Sequence, residues 1–390
     1  MTPAAGQRLA WWQHALAVGA IFVATAIRFY PALASVEPLG DELAQERAFR
    51  QESAGQSPYL EGSYVYPPSL LRIGAALRQL PLPSPYLPLR GLSLCGLAIV
   101  LWAAAGWLTG RTWARLGLAI AYALLAPGVR QGVEFGNLSF AVGGMIVLAL
   151  LLWERRPITS GLLLGASLLL KPLAPAALVA LACHRPAKGM RQLGAVAVAV
   201  AAAAAPLLAD PEFGAFLRHG SHAFVLERTV SLHRFLALAG LPGAATALTL
   251  LLLAAVATVA WRCVREREEL LAVALAGCVL VTPVVWNHTL VLTLPLQAMA
   301  VALAVERSRQ AAPQERRRRG WELAGIALAV AALTFAEGAT GIDDRSVALQ
   351  VFATLPPALA PAALAAYILR FRDRGPGRGT VPPVFVRARS

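Results

Sequence analysis

The chain is short of charge. Of its 390 residues, 14% are Asp, Glu, Lys or Arg and 57% are hydrophobic, whereas a soluble domain carries about 25% charged residues. That excludes an ordinary soluble enzyme and points to a polytopic membrane protein. Cysteine is scarce as well. Cys95, Cys183, Cys263 and Cys278 lie inside or at the ends of different apolar runs and form no CxxC, so they read as small buried hydrophobes. A basic amphipathic surface with interleaved aromatics is missing, so the net charge of +14 does not signify nucleic acid. A small-residue cleavage site after the apolar run Trp11 to Ile27 is also missing, and that run reads as a retained first span.

What is present is a series of apolar runs. A spanning helix needs roughly 20 apolar residues. Candidates are 11–27, 88–109, 112–128, 138–153, 191–209, 241–261, 270–286, 289–305, 321–337 and 348–369. The stretch 158–183 has basic residues at both ends and Lys171-Pro172 and Pro175 in its middle. Proline breaks a helix and a lysine in mid-membrane is costly. Two short helices, 158–170 and 174–183, with an outward-facing turn at Lys171, remove both conflicts. The expectation is an all-α, polytopic fold of about 12 spans with both termini cytoplasmic. It places most of the excess Lys and Arg inside, including the run Arg316 to Arg319 and the tail from Arg370. Residues 1–375 form the membrane domain, and 376–390 form a disordered basic cytoplasmic tail.

Two long external segments interrupt this pattern, 28–90 and 210–240. The first holds Gly40-Asp41-Glu42, Gly55-Gln56-Ser57-Pro58-Tyr59 and Tyr64-Val65-Tyr66-Pro67-Pro68. Asp41 to Ala54 and Leu70 to Leu80 have the character of helices lying on the membrane interface. The unusual polar residues gather on the same external side: Asp41 and Glu42; Arg130, Glu134 and Asn137; Lys171; His219, His222 and Arg228; and Trp286-Asn287-His288. A carboxylate serves as general base towards a hydroxyl. Lys, Arg and His hold a phosphate and stabilise its charge as it leaves. Tyrosines and Trp286 stack on sugar rings. These parts fit sugar transfer from a lipid phosphate. Each also has a plainer reading. Asp41 caps the following helix, Lys171 snorkels, and Trp286, Tyr59 and Tyr66 are interface packing. His219 and His222 lack a third ligand fixed by spacing, so no metal is expected.

Four ordered matches carry a family resemblance: the Gly40-Asp41 loop with its later Tyr and Pro residues; Glu134-Phe135-Gly136-Asn137, where the family more often has Gly-Gln; Gly161 to Gly165 leading to Lys171-Pro172; and Thr282-Pro283 to Trp286-Asn287-His288, with Pro295 beyond. On these the chain resembles the polytopic C-type-fold glycosyltransferases, and glycosyltransferase family 87 (DUF2029) in particular, which includes polyprenol-phosphate-mannose-dependent alpha-1,2-mannosyltransferases. The resemblance implies an active site on the non-cytoplasmic face and a polyprenyl-phosphate sugar, mannose first among the candidates, as donor. It implies an inverting single displacement onto a glycolipid or glycan acceptor, without cofactor or nucleotide sugar.

By position, the resemblance makes Asp41 the general base and His288 a catalytic or donor-phosphate residue. The Lys-Pro match makes Lys171 a residue expected to help hold the donor phosphate, and Arg130 and Arg228 are further phosphate-binding candidates among the loop arginines. Glu42, Tyr59, Tyr66, Glu134, Asn137, Trp286 and Asn287 are the substrate-binding candidates. The adjacent Glu42 leaves the identity of the base open. A bacterial plasma membrane, with membrane lipids as further partners, is the expected setting. A transporter or flippase of a lipid or small solute, and a scaffold subunit, remain the rival readings.

Overall fold

The computed structural model describes residues 9–59, 64–184, 190–220, 229, 231–283, 285, 287–334 and 347–372. Every regular element among them is helical. In chain order these are α1 (Trp11–Arg28), α2 (Tyr30–Ala34), α3 (Gly40–Ser53), α4 (Pro68–Arg78), α5 (Leu87–Leu108), α6 (Thr112–Leu125), α7 (Pro127–Glu134), α8 (Ser139–Leu152), α9 (Pro157–Leu170), α10 (Pro175–Cys183) and α11 (Met190–Leu208). They continue with α12 (Phe213–Gly220), α13 (Leu232–Leu238), α14 (Ala245–Cys263), α15 (Arg267–Val281), α16 (Leu294–Gln310), α17 (Arg316–Thr334) and α18 (Val347–Arg372). A 3-10 segment, Asn287–Thr293, leads into α16.

Proline and glycine set most of the boundaries. Pro68, Pro127, Pro157 and Pro175 each sit in the first turn of a helix, where their missing N–H costs nothing. The break between α9 and α10 falls at Lys171, where the backbone turns extended. α6 stops at Leu125 and α7 leaves at 61°, so the segment 112–128 is bent rather than one straight span. Pro127 enforces that bend.

α5, α8, α15 and α16 form the centre, with buried residues around most of their circumference. Small residues let their backbones close. A Cβ on Gly144 of α8 would lie 2.3 Å from the Gly96 Cα of α5, and one on Gly161 of α9 would lie 2.5 Å from the Val196 carbonyl of α11. Such contacts are the usual glue between helices in lipid. The outer helices turn apolar side chains outward instead: Leu250 and Leu251 of α14 and Trp11 of α1 are more than half exposed. An apolar exterior around an apolar core fits lipid, not water.

Each of the twelve expected segments contains helix. Among the described residues, four helices are long and apolar enough to cross a membrane: Leu87–Leu108, Arg191–Leu208, Pro242–Cys263 and His288–Gln310. The bent α6–α7 pair makes a fifth if counted as one span. The first long segment between apolar runs, 28–90, is helical where expected, as α3 and α4. Of the second, α12 and α13 are described, while 221–228 lie outside the described residues, as does the 376–390 tail.

Candidate active site

The start of α3 places the first carboxylate. The Glu42 side chain reaches back to the Leu39 N–H at 2.8 Å and caps the helix. The Asp41 N–H donates to the Phe135 carbonyl at 2.8 Å, which pins this turn to the loop between α7 and α8. Gly136 makes the approach feasible. Its φ is +67°, and a Cβ there would lie 2.6 Å from Glu42 Oε1.

Asp41 Oδ2 then becomes a meeting point. The Tyr66 hydroxyl donates to it at 2.5 Å, and the Asn137 Nδ2 donates to the same oxygen. Asn137 is held from its other side: its Oδ1 accepts the Ser139 N–H at 2.7 Å and its carbonyl accepts the Ser93 hydroxyl at 3.0 Å. Ser139 continues the chain. Its Oγ accepts from Lys171 Nζ at 2.8 Å and lies 3.3 Å from Thr289 Oγ1. The Lys171 ammonium also sits 5.5 Å from the Tyr66 ring centroid. A carboxylate and an ammonium are thus linked through Asn137-Leu138-Ser139, with Tyr66 between them.

This setting perturbs the acid. Burial raises the Asp41 carboxyl above its usual range, and the Lys171 charge with the Tyr66 and Asn137 hydrogen bonds partly opposes that rise. Burial and then the neighbouring Asp41 charge push the Tyr66 phenol well up, so it remains a donor.

Glu42 has a different environment. Arg90 Nε donates to its Oε1 at 2.8 Å and Arg90 Nη2 to its Oε2 at 2.6 Å. Arg90 Nη1 also reaches the carbonyl of Ser35 at 2.6 Å, and its Nη2 that of Glu37 at 3.0 Å. Both oxygens of Glu42 are therefore engaged in holding the loop after α2.

The remaining sequence candidates divide. Tyr59 is buried, donates its hydroxyl to the Tyr66 carbonyl at 2.8 Å, and packs against Tyr64 and Phe216. It supports Tyr66. Arg130 and Glu134 pair with each other at 2.8 Å on the exposed side of α7. His288 is buried against α7, where a Cβ on Gly132 would meet its Cβ at 3.0 Å, and it lies within electrostatic reach of Lys171. Asn287 opens the 3-10 segment. Arg228, His222 and Trp286 lie outside the described residues. Among the described residues no three His, Cys, Asp or Glu side chains cluster as a metal site.

Sequence reasoning missed Arg90, Ser93, Ser139 and Thr289. Asn137-Leu138-Ser139 carried a signal, because an Asn two residues before a backbone N–H makes an Asx turn. Arg90 carried none beyond being a charge at the head of an apolar helix.

A membrane-embedded helical bundle with an acid and an amine drawn together beneath clustered tyrosines is an arrangement suited to a membrane-bound group-transfer enzyme. The chain matches the model of glycosyltransferase family 87 over residues 64–285, more than half its length. It belongs to that family and is a membrane glycosyltransferase. The match takes in Tyr66, Asn137, Ser139 and Lys171; Asp41 precedes it and His288 follows it. No curated protein matches the chain.

Proposed function

We propose that the enzyme transfers a sugar, mannose first among the candidates, from a polyprenyl-phosphate donor to a hydroxyl of a glycolipid or glycan on the outer face of a bacterial plasma membrane. The observation that carries this reading is the Asp41–Asn137–Ser139–Lys171 connection, which links a half-buried carboxylate to a buried cation. Asp41 is the base. It accepts the acceptor hydroxyl's proton as that oxygen attacks the anomeric carbon. The bond from that carbon to the phosphate oxygen breaks, and the configuration inverts. Polyprenyl phosphate leaves already ionic, so it needs charge stabilisation more than a proton. Lys171 supplies that, with His288 beside it. Arg130 and Arg228 are further phosphate candidates, and Tyr59, Glu134, Trp286 and Asn287 are the remaining substrate-binding candidates. Glu42, clamped by Arg90, serves the scaffold.

The C-type fold, with twelve spans and both termini cytoplasmic, accompanies this reading. It leaves the Lys171 turn and the 28–90 loop on the external side, where a lipid-linked donor enters between helices.

The test is transfer by the purified protein in lipid vesicles, comparing polyprenyl-phosphate-mannose with a nucleotide-linked mannose. The proposal expects sugar transfer from the lipid donor alone. Transfer from the nucleotide sugar, or substrate counterflow with no transfer from any polyprenyl-phosphate sugar, would overturn it.

A further inference from the structure

Two donors, from different parts of the chain, converge on a single oxygen of Asp41. Tyr66 precedes α4 and Asn137 precedes α8, yet both aim at Oδ2. No described residue donates a hydrogen bond to Oδ1, and Asp41 retains partial exposure although Glu42 beside it is buried. The donors themselves are held. The Ser139 N–H occupies Asn137 Oδ1 at 2.7 Å, so the amide presents its NH2 side to Asp41. The Tyr59 hydroxyl holds the Tyr66 carbonyl at 2.8 Å, and both Tyr66 and Asn137 are at most 2% exposed.

We infer that Tyr66 and Asn137 are positioning residues that immobilise Asp41 through Oδ2 and reserve Oδ1 as the oxygen that takes the proton of the acceptor hydroxyl. This rests on the assignment of Asp41 as base and adds a division of labour between its two oxygens. A carboxylate held by one oxygen cannot rotate about its terminal bond without losing both hydrogen bonds. Its other oxygen then keeps one direction, which is what a near-attack geometry requires. The same two donors favour the ionised form of the acid and oppose the rise that burial imposes.

Among the described residues, the groups around Asp41 that titrate or carry charge are Tyr66, Lys171 from the α9–α10 break, the adjacent Glu42–Arg90 pair, and His288, which lies within electrostatic reach of Lys171. Tyr66→Phe removes one hydrogen bond and leaves the other groups in place. Asn137→Ala removes the second and serves as the independent variant.

The experiment is an infrared pH titration of the purified full chain in vesicles, with the Asp41 carboxyl band identified by its loss in Asp41→Asn. Turnover of polyprenyl-phosphate-mannose with octyl mannoside as probe acceptor is measured in parallel. In Tyr66→Phe the Asp41 carboxyl should protonate at higher pH by about one unit, the size of one hydrogen bond to a charged group. The acid limb of kcat should move with it, and kcat should fall about tenfold or more. Added to Asp41→Asn, Tyr66→Phe should cost no further residual rate. An unmoved carboxyl band in both Tyr66→Phe and Asn137→Ala overturns the inference and leaves Asp41 as base. Full turnover by Asp41→Asn overturns the base assignment itself, whatever the band does.

Discussion

Arg90 grips Glu42 with two parallel hydrogen bonds, and only 2% of either side chain is exposed. The pair closes the loop after α2 against the head of α5. Breaking a buried ion pair from one side leaves an uncompensated charge and costs about 3–5 kcal/mol. Arg90→Met and Glu42→Gln should therefore lower the unfolding temperature and the folded yield in detergent. Asp41→Asn, one residue away, should leave both close to wild type. Thermal unfolding of the three variants side by side checks this.

The pH profile should carry the signature of Asp41. The base works ionised, and burial raises its carboxyl above the usual carboxylate range. Activity should thus fall on acidification at a pH above that range. The opposing charge of Lys171 holds this limb down, so Lys171→Met should shift it further up, in addition to weakening turnover. Profiles of kcat for wild type and variant give the sign directly.

Ser139 should matter through Lys171. The Lys171 ammonium donates to its hydroxyl at 2.8 Å, and removing that acceptor leaves a buried charge with less compensation, a cost of about 1–3 kcal/mol. Ser139→Ala should raise the KM for the lipid-phosphate donor, with a smaller effect on the KM for the acceptor. Kinetics with each substrate varied in turn separate the two.

Gly136 tests the docking of α3 on the α7–α8 loop. With φ at +67° and Glu42 Oε1 only 2.6 Å from where a Cβ would stand, Gly136→Ala strains the backbone and pushes on the Glu42–Arg90 pair. The strain alone is of order 1–3 kcal/mol. Gly136→Ala should be less stable than Gly55→Ala, where the φ is +75° but a Cβ meets nothing within 4 Å. Comparing the two variants isolates the contact from the dihedral.

How much was legible in the sequence follows from the range of each interaction. α3 and α4 announce themselves through local signals: an acidic first turn after Leu39, and Pro67-Pro68 before an apolar-basic stretch. The break at Lys171 was legible because Pro172 and Pro175 forbid a continuous helix. The separation of Asp41 from Glu42 was not. The two carboxylates are adjacent, and what distinguishes them is Arg90, 48 residues beyond Glu42. Likewise Asn137 carried no local mark of its partnership with Asp41 across 96 residues. Arg130 and Glu134 were chosen by residue type, and their i,i+4 pairing on the exposed face of α7 was readable from their spacing. The bend after α6 lay beneath a hydropathy pattern that ran on through Pro127.

The central claim is that Asp41 is the base of a transfer from a polyprenyl-phosphate sugar. The most direct measurement is release of polyprenyl phosphate from polyprenyl-phosphate-mannose by purified wild type and Asp41→Asn, at matched folding and in the presence of candidate glycolipid acceptors. The account predicts acceptor-dependent release by wild type and a loss of at least about a hundredfold in the variant, the lower end of a general base's contribution. Equal release by the two proteins would contradict it.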